Sequence, residues 1–243
     1  MNLVGKHIVI TGAASGLGLE LLKQLHDDNE ISVIARPSAG LDDLRRSLPV
    51  VHVYEADLAD LQSVETAADL LIRSGRKIDV LINNAAVQYT PHFLAEDFRY
   101  ETIKREIDIN FTSVCSLIYL LLPNLRQSSP SMIVNINSGL GLVPKTGSAV
   151  YCATKGALNI FSQSLAYQLE DTNIGVKQVF LPLVDTAMTK GRGAAKISAE
   201  NAASEIIRGM QKPGANIDVG KVKLLRLIQR VSPTLAHKIM KAG

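Results

Sequence analysis

The chain has 243 residues, 47% of them hydrophobic and 20% charged, with a net charge of +3. That length buries a core without cross-links, and the small charge does not call for nucleic acid or another polyanion as a partner. Cys115 and Cys152 stand in no CxxC or Cys/His pattern, which argues against a zinc site or disulfide framework and for a reducing compartment. No metal is expected. Residues 1–6 lack the segments of a signal peptide, and no apolar run nears the ~20 residues that span a bilayer. The expected location is the cytoplasm.

Short β-branched runs at residues 7–11, 31–35, 50–54 and 79–82 read as strands separated by amphipathic helical stretches. Runs at 132–136 and 176–181 flank a long helix expected over about 149–170, and a last short strand is expected at 217–219. Alternating β and α segments predict a parallel sheet covered on both faces: a Rossmann-type doubly wound α/β fold of about seven strands in three layers. No linker or internal repeat divides the chain, so residues 1–243 are expected to form a single domain. Residues 190–196, with Gly191 and Gly193, follow the sixth strand at the ligand-binding edge of such a sheet and read either as an ordinary surface loop or as a lid.

The first strand runs into Thr11-Gly12-Ala13-Ala14-Ser15-Gly16-Leu17-Gly18, which opens the first helix. Glycines let backbone approach a pyrophosphate, and free N–H groups with the positive end of the helix dipole favour its charge. Gly12, Ser15, Gly16, Leu17 and Gly18 are therefore candidate cofactor contacts, with GxxxGxG spacing rather than GxGxxG. After the second strand stands Arg36, where an acidic residue would hold the ribose hydroxyls of NAD. A guanidinium there suits the 2′-phosphate of NADP, although an Arg at a strand end is also an ordinary solvated residue. Asp57 could accept from an adenine amino group, with Leu58 giving a backbone contact; Asp57 reads equally well as a turn or helix-start residue. In Asn83-Asn84-Ala85-Ala86, two amides can tie neighbouring strands and bring Asn84 and Ala85 to the cofactor.

Tyr151 and Lys155 lie four apart and share a helix face. Ser138 ends the preceding strand, close enough in sequence for a loop to return its hydroxyl to the phenol. Adding hydride to a carbonyl leaves an alkoxide that must be stabilised and protonated, and a phenol of pKa about 10 is a poor acid/base at neutral pH. A neighbouring ammonium is expected to lower that pKa, while a serine hydroxyl donates to the developing oxyanion. Cys152, beside the tyrosine, reads as a small buried helix residue rather than a nucleophile.

Taken together, Thr-Gly-xxx-Gly-x-Gly, Asp57, Asn83-Asn84-Ala85, Asn110, Ser138 and Tyr151-xxx-Lys155 resemble the short-chain dehydrogenase/reductase family over about residues 4–219. The resemblance implies Ser138, Tyr151 and Lys155 as catalytic residues, with Lys155 also holding the nicotinamide ribose. It further implies that Asn110, in a helix over residues 109–122, supports a water-linked proton relay to Lys155; a purely structural role for that amide is compatible. The Val184 backbone and Thr186 hydroxyl would meet the nicotinamide carboxamide, and a homodimer or homotetramer would be expected. Two positions depart from the family pattern. Ala86 replaces a glycine, which would be strained if the backbone there took positive φ, and Leu181-Pro182 replaces a Pro-Gly. The run at 150–155, the segment 184–186 and the tail are similar to oxidoreductases encoded with D-alanyl-lipoteichoic acid genes.

Residues 187–204 are expected to shape the substrate region, and 221–243 to form basic C-terminal helices. Six cations and no acid follow Asp218, and Leu224, Leu227, Ile228 and Val231 recur at helical spacing. Ser232-Pro233 reads as the cap and first residue of a second helix. The apolar stripe is expected to pack over the cleft or a neighbouring subunit rather than lie on a membrane. The reading is an NADP(H)-dependent oxidoreductase, with NAD(H) as the other cofactor to consider, acting on a small carbonyl/alcohol pair. The alternative is a nucleotide-sensing regulatory or scaffold protein, which would be expected to have lost Ser138, Tyr151 or Lys155.

Overall fold

A computed structural model describes residues 1–193 and 195–241. Seven strands form one parallel sheet: β1 (His7–Thr11), β2 (Glu30–Ala35), β3 (His52–Glu55), β4 (Val80–Asn83), β5 (Ser131–Ser138), β6 (Ile174–Leu181) and β9 (Asn216–Asp218). Their order, β3-β2-β1-β4-β5-β6-β9, reverses direction between β1 and β4. Such a switch point opens a crevice at the carboxyl edge, where ligands of doubly wound sheets bind. A separate parallel pair, β7 (Val184–Asp185) with β8 (Ile197–Ser198), follows β6. The expected fold class is therefore observed, with strand ends displaced by a few residues. The run at 50–54 begins pairing only at His52, because the Val51 N–H is held in a turn by the Leu48 carbonyl and Val50 is exposed.

Alternate strand residues feed two cores, as the two-residue period requires. Ile8, Ile10, Val33, Val80, Ile82, Met132 and Val134 pack beneath α1 (Gly16–Leu25) and α7 (Ala199–Gln211). Val9, Ile34, Leu81 and Ile133 face α3 (Leu61–Arg73), α5 (Ser113–Arg126) and α6 (Ala149–Gln168). A short α2 (Ala39–Ser47) links β2 to β3, its N-terminus capped by Ser38, whose Oγ accepts from the Leu41 N–H.

The helix expected over 109–122 is longer and irregular. It runs through α4 (Glu101–Ile107), a π-helical turn (Asp108–Thr112) and α5, and its Glu101–Arg126 span is the one described helix long and apolar enough to cross a membrane. Here it forms part of a layer, packed against α3 and α6. The 187–204 region is also not one loop. Residues 199 onward are α7, whose Ala202 and Ala203 are fully buried, so the irregular part shrinks to 187–198. Ala194, within the expected lid, lies outside the described residues, as do positions 242 and 243 of the tail.

The tail folds as α8 (Val222–Val231) and α9 (Pro233–Lys241). Ser232 caps α9 as read, its Oγ accepting from the Leu235 N–H at 3.4 Å. Within the chain Leu224, Leu227 and Val231 of the α8 stripe are exposed, so they do not pack over the cleft; the helix turns its Val222 and Leu225 side toward Gly139.

Candidate active site

The glycine turn is built from contacts that admit no side chain. Gly12 and Gly16 have positive φ (70° and 57°), where a Cβ is costly. A Cβ on Gly12 would meet the Ala85 Cα at 3.0 Å, and one on Gly18 would lie 2.4 Å from the Gly12 carbonyl oxygen. Thr11 Oγ1 accepts from the N–H groups of Asn84 and Ala85, both at 3.0 Å, while Asn84 Nδ2 donates to the Thr11 carbonyl at 2.9 Å. Asn83 Nδ2 donates to Asn135 Oδ1 at 2.8 Å, tying β4 to β5. The two amides thus join three strands as expected. Ala86 is not at positive φ, so the missing glycine brings no strain.

These features suit a dinucleotide. α1 begins at Gly16 with no acidic residue in its first turn, and the exposed Ser15 hydroxyl makes no capping bond, leaving it and the first N–H groups open to a pyrophosphate. Leu17 and Leu58 bury their side chains, so only their backbones are available. A Cβ on Gly16 would come within 3.3 Å of Thr186 Cγ2, which places the turn beside Val184-Asp185-Thr186 despite the Leu181-Pro182 departure. That segment is closed by Thr189, whose hydroxyl donates to the Val184 carbonyl at 2.5 Å and accepts from the Thr186 N–H at 3.2 Å.

Arg36 is exposed and makes no ion pair among the described residues, yet its charge acts on Asp57. Asp57 has partners that the sequence did not reveal: its Oδ1 accepts from the Ala59 N–H at 3.0 Å, and Arg105 reaches its Oδ2 at 3.2 Å. Partial burial pushes its carboxyl up, but the Ala59 N–H and the Arg105 and Arg36 charges outweigh this and hold it below the usual carboxylate range.

At the reactive end, Ser138 closes β5 and its Oγ accepts from the Leu140 N–H at 3.1 Å. Tyr151 and Lys155 sit on the first turns of α6, with the Lys155 Nζ 5.7 Å from the Tyr151 ring centroid and donating to the Ile136 carbonyl at 2.9 Å. Ser138, Tyr151 and Lys155 are therefore brought together. Burial raises the Tyr151 phenol well above its ordinary value, against the lowering effect of Ser138 and Arg192. Burial outweighs these effects, so the lowering expected from a neighbouring ammonium does not set the direction of the shift. Burial also depresses Lys155 to about 8, opposed by the Glu106 charge. Cys152 is buried, as read.

Asn110 lies in the π turn and is fully buried. Its Oδ1 accepts from the Val87 N–H and its Nδ2 donates to the Val87 carbonyl, each at 2.8 Å, with Thr154 Oγ1 at 3.3 Å. π turns occur often at functional sites because they shift a side chain off the regular helix track.

Four further residues border the site. Glu106, one helical turn before Asn110, is 1% exposed; its Oε1 accepts from the Tyr89 N–H at 3.1 Å, and burial raises its carboxyl to about 7 despite the Lys155 and Arg192 charges. Arg192 donates from Nη1 to Gln88 Oε1 at 2.6 Å, and Gln88 Nε2 donates to Ser148 Oγ at 3.1 Å. Ser148 precedes α6 with φ 62°. A strap thus runs from the 190–196 loop to the start of the helix carrying Tyr151. Glu106 stands among Glu101, Lys104, Arg105 and Asp108, so the sequence reads it as part of a solvated face, and nothing in sequence pairs Arg192 with Gln88.

The sequence pattern of the short chain dehydrogenase family matches residues 6–197. An uncharacterized oxidoreductase DltE from Bacillus subtilis is 31% identical over 93% of this chain and 92% of its own length. A fatty acyl-CoA reductase from Acinetobacter baylyi is 26% identical over 100% of this chain and 85% of its own. A short chain dehydrogenase from Burkholderia cenocepacia, solved in complex with NADP, superposes with a TM-score of 0.89 at 22% identity, covering 99% of each chain.

Proposed function

The chain belongs to the short-chain dehydrogenase family of NAD(P)-dependent oxidoreductases, and from that premise we propose that it prefers NADP(H) and interconverts a small carbonyl compound and its alcohol. The observation that carries the reading is the convergence of Ser138, Tyr151 and Lys155 at the same carboxyl edge of the sheet as a glycine turn whose neighbours leave no room for a Cβ. A bound nicotinamide supplies or accepts the hydride.

The chain's own residues do the rest. Tyr151 holds the proton: in its buried setting the phenol is neutral at pH 7, the state needed to donate to an alkoxide oxygen. Ser138 Oγ, fixed by the Leu140 N–H, donates to the same oxygen as charge develops there. Lys155 brings positive charge below its pKa of about 8 and stabilises phenolate once the proton has left. Asn110 keeps the 84–89 segment at its distance from α6 and stands within the proposed proton route to Lys155. Gly12, Ser15, Gly16, Leu17 and Gly18 would hold the pyrophosphate, Asp57 and Leu58 the adenine, Asn84, Ala85, Val184 and Thr186 the nicotinamide end, and Arg36 a 2′-phosphate. That Arg36 has no acidic partner among the described residues supports the NADP(H) preference.

The same reading includes self-association, supported by Tyr119, Ile160 and Tyr167, which are exposed on α5 and α6. It also includes a cytoplasmic location, which suits the free Cys115 and Cys152. The test is Tyr151→Phe. It should lower NADPH-dependent turnover across a panel of aldehydes, ketones and quinones by at least about 100-fold, while NADPH fluorescence titration still shows binding. Undiminished turnover in the variant would remove Tyr151 from the chemistry.

A further inference from the structure

The hairpin of α8 and α9 has an outer surface that hydride transfer does not use. One side is fastened to the domain. Gln229 Nε2 donates to the Leu142 carbonyl at 2.8 Å, Thr146 Oγ1 donates to the Lys241 carbonyl at 2.7 Å, and Arg226 lies over the Phe180 ring while bonding to Asp218 at 2.6 and 2.8 Å. These contacts also set the hairpin against residues 139–146, the segment between Ser138 and Tyr151.

The other side is apolar and open. Leu224, Leu227 and Val231 recur at i, i+3 and i+7 on α8, and Leu235 and Ile239 at i and i+4 on α9, each between 46% and 76% exposed. Around them Lys221, Arg230, Lys238 and Lys241 are exposed and make no ion pair among the described residues. Six of the 26 Lys and Arg residues follow Asp218, and none of the 23 acids does, so the rest of the chain is net acidic. Lys223 and Arg226 pair with Glu205 and Asp218, and the other four cations of this segment surround the exposed leucines.

We propose that this hairpin docks the protein on an anionic lipid surface, with the leucines entering the acyl boundary and the lysines and arginines meeting headgroup phosphates. Exposed apolar side chains rimmed by cations on paired helices are the chemistry of interfacial attachment. A second copy of the chain is a poorer occupant, since a symmetric contact would oppose two patches of the same sign. Docking in this way brings the edge holding Ser138 and Tyr151 close to the bilayer.

The experiment is sedimentation of the full chain with vesicles of phosphatidylcholine alone or mixed equally with phosphatidylglycerol. Binding to the anionic vesicles should be at least about tenfold tighter and should weaken as salt rises. The doubly substituted Leu224→Glu, Leu227→Glu chain and the triply substituted Lys221→Gln, Arg230→Gln, Lys238→Gln chain should each lose about tenfold or more in binding while keeping the thermal transition and NADPH binding of the parent. Equal binding to both vesicles, no binding to either, or full binding by both variants would overturn the proposal. So would an acidic peptide captured through the same residues by a chain that ignores vesicles. None of these outcomes depends on the redox reaction, so the docking and the reductase readings stand or fall separately.

Discussion

Asn110 grips Val87 in both directions, accepting from its N–H and donating to its carbonyl at 2.8 Å each. The π turn lets one side chain do this from a buried helix, and it fixes the strand-to-helix segment that passes the reactive end. Asn110→Leu leaves both backbone groups without partners, at about 1–3 kcal/mol for each group that water does not reach. Urea unfolding should show that loss, and turnover should fall with it. An unchanged midpoint would mean that the clamp is not what holds residues 84–89.

Glu106 sets a pH dependence of stability. Its carboxyl is raised from 4.5 to about 7 by burial, so the folded chain binds the proton more tightly than the unfolded chain does. The contribution is fully present below pH 4.5 and is lost as pH rises through about 7. At about 1.4 kcal/mol per pH unit, it is on the order of 3 kcal/mol at most. Glu106→Gln keeps an acceptor for the Tyr89 N–H without the ionisation. Its melting temperature relative to the parent should therefore climb between pH 4.5 and 7 and level off above; parallel curves would refute the assignment.

The Arg192–Gln88 contact holds the loop after Thr189 against the body of the domain. Removing it with Arg192→Ala forfeits a charge-assisted bond, and amide exchange at residues 188–193 should quicken about tenfold or more. A loop that exchanges no faster without the guanidinium would be held by Lys196, which bonds to the Thr189 carbonyl at 2.7 Å, instead.

Arg36 is the test of cofactor choice. Arg36→Gln should cut the kcat/KM ratio of NADPH to NADH by about 10- to 100-fold, the worth of a charge-assisted pair, with NADH little affected. A parent enzyme that already favours NADH would end the assignment.

Strand positions and the placement of Ser138, Tyr151 and Lys155 were legible because each follows a local rule. β-branched runs mark strands, glycines mark a turn, and a four-residue spacing puts Tyr151 and Lys155 on one face. What the sequence hid was contact between distant or disguised residues. Glu106 is an acid in a helix, which ordinarily means a solvated face, and only the packing of α4 against α6 buries it. Asp57 reads as a turn residue until Arg105 arrives from a helix 48 positions away. The direction of the Tyr151 shift is set by how deeply the phenol is buried, and spacing carries no such information. The period of the C-terminal stripe was readable, but not which side of α8 turns inward, where Val222 and Leu225 close upon Gly139 and Arg226 bonds to Asp218.

Gly18 looks inward in a different sense. A Cβ there would collide with the Gly12 carbonyl oxygen at 2.4 Å and the Asn84 amide at 2.5 Å, both atoms of the protein itself. The helix lies so close to the seam between β1 and β4 that glycine is obligatory before any nucleotide arrives. A descendant that abandoned redox chemistry would still be bound to glycine at this position, while Arg36, exposed and without an ion pair among the described residues, would be free to drift. Among descendants of this chain, the lapse of the cofactor would be written first at the exposed arginine and last, if ever, in the glycine turn.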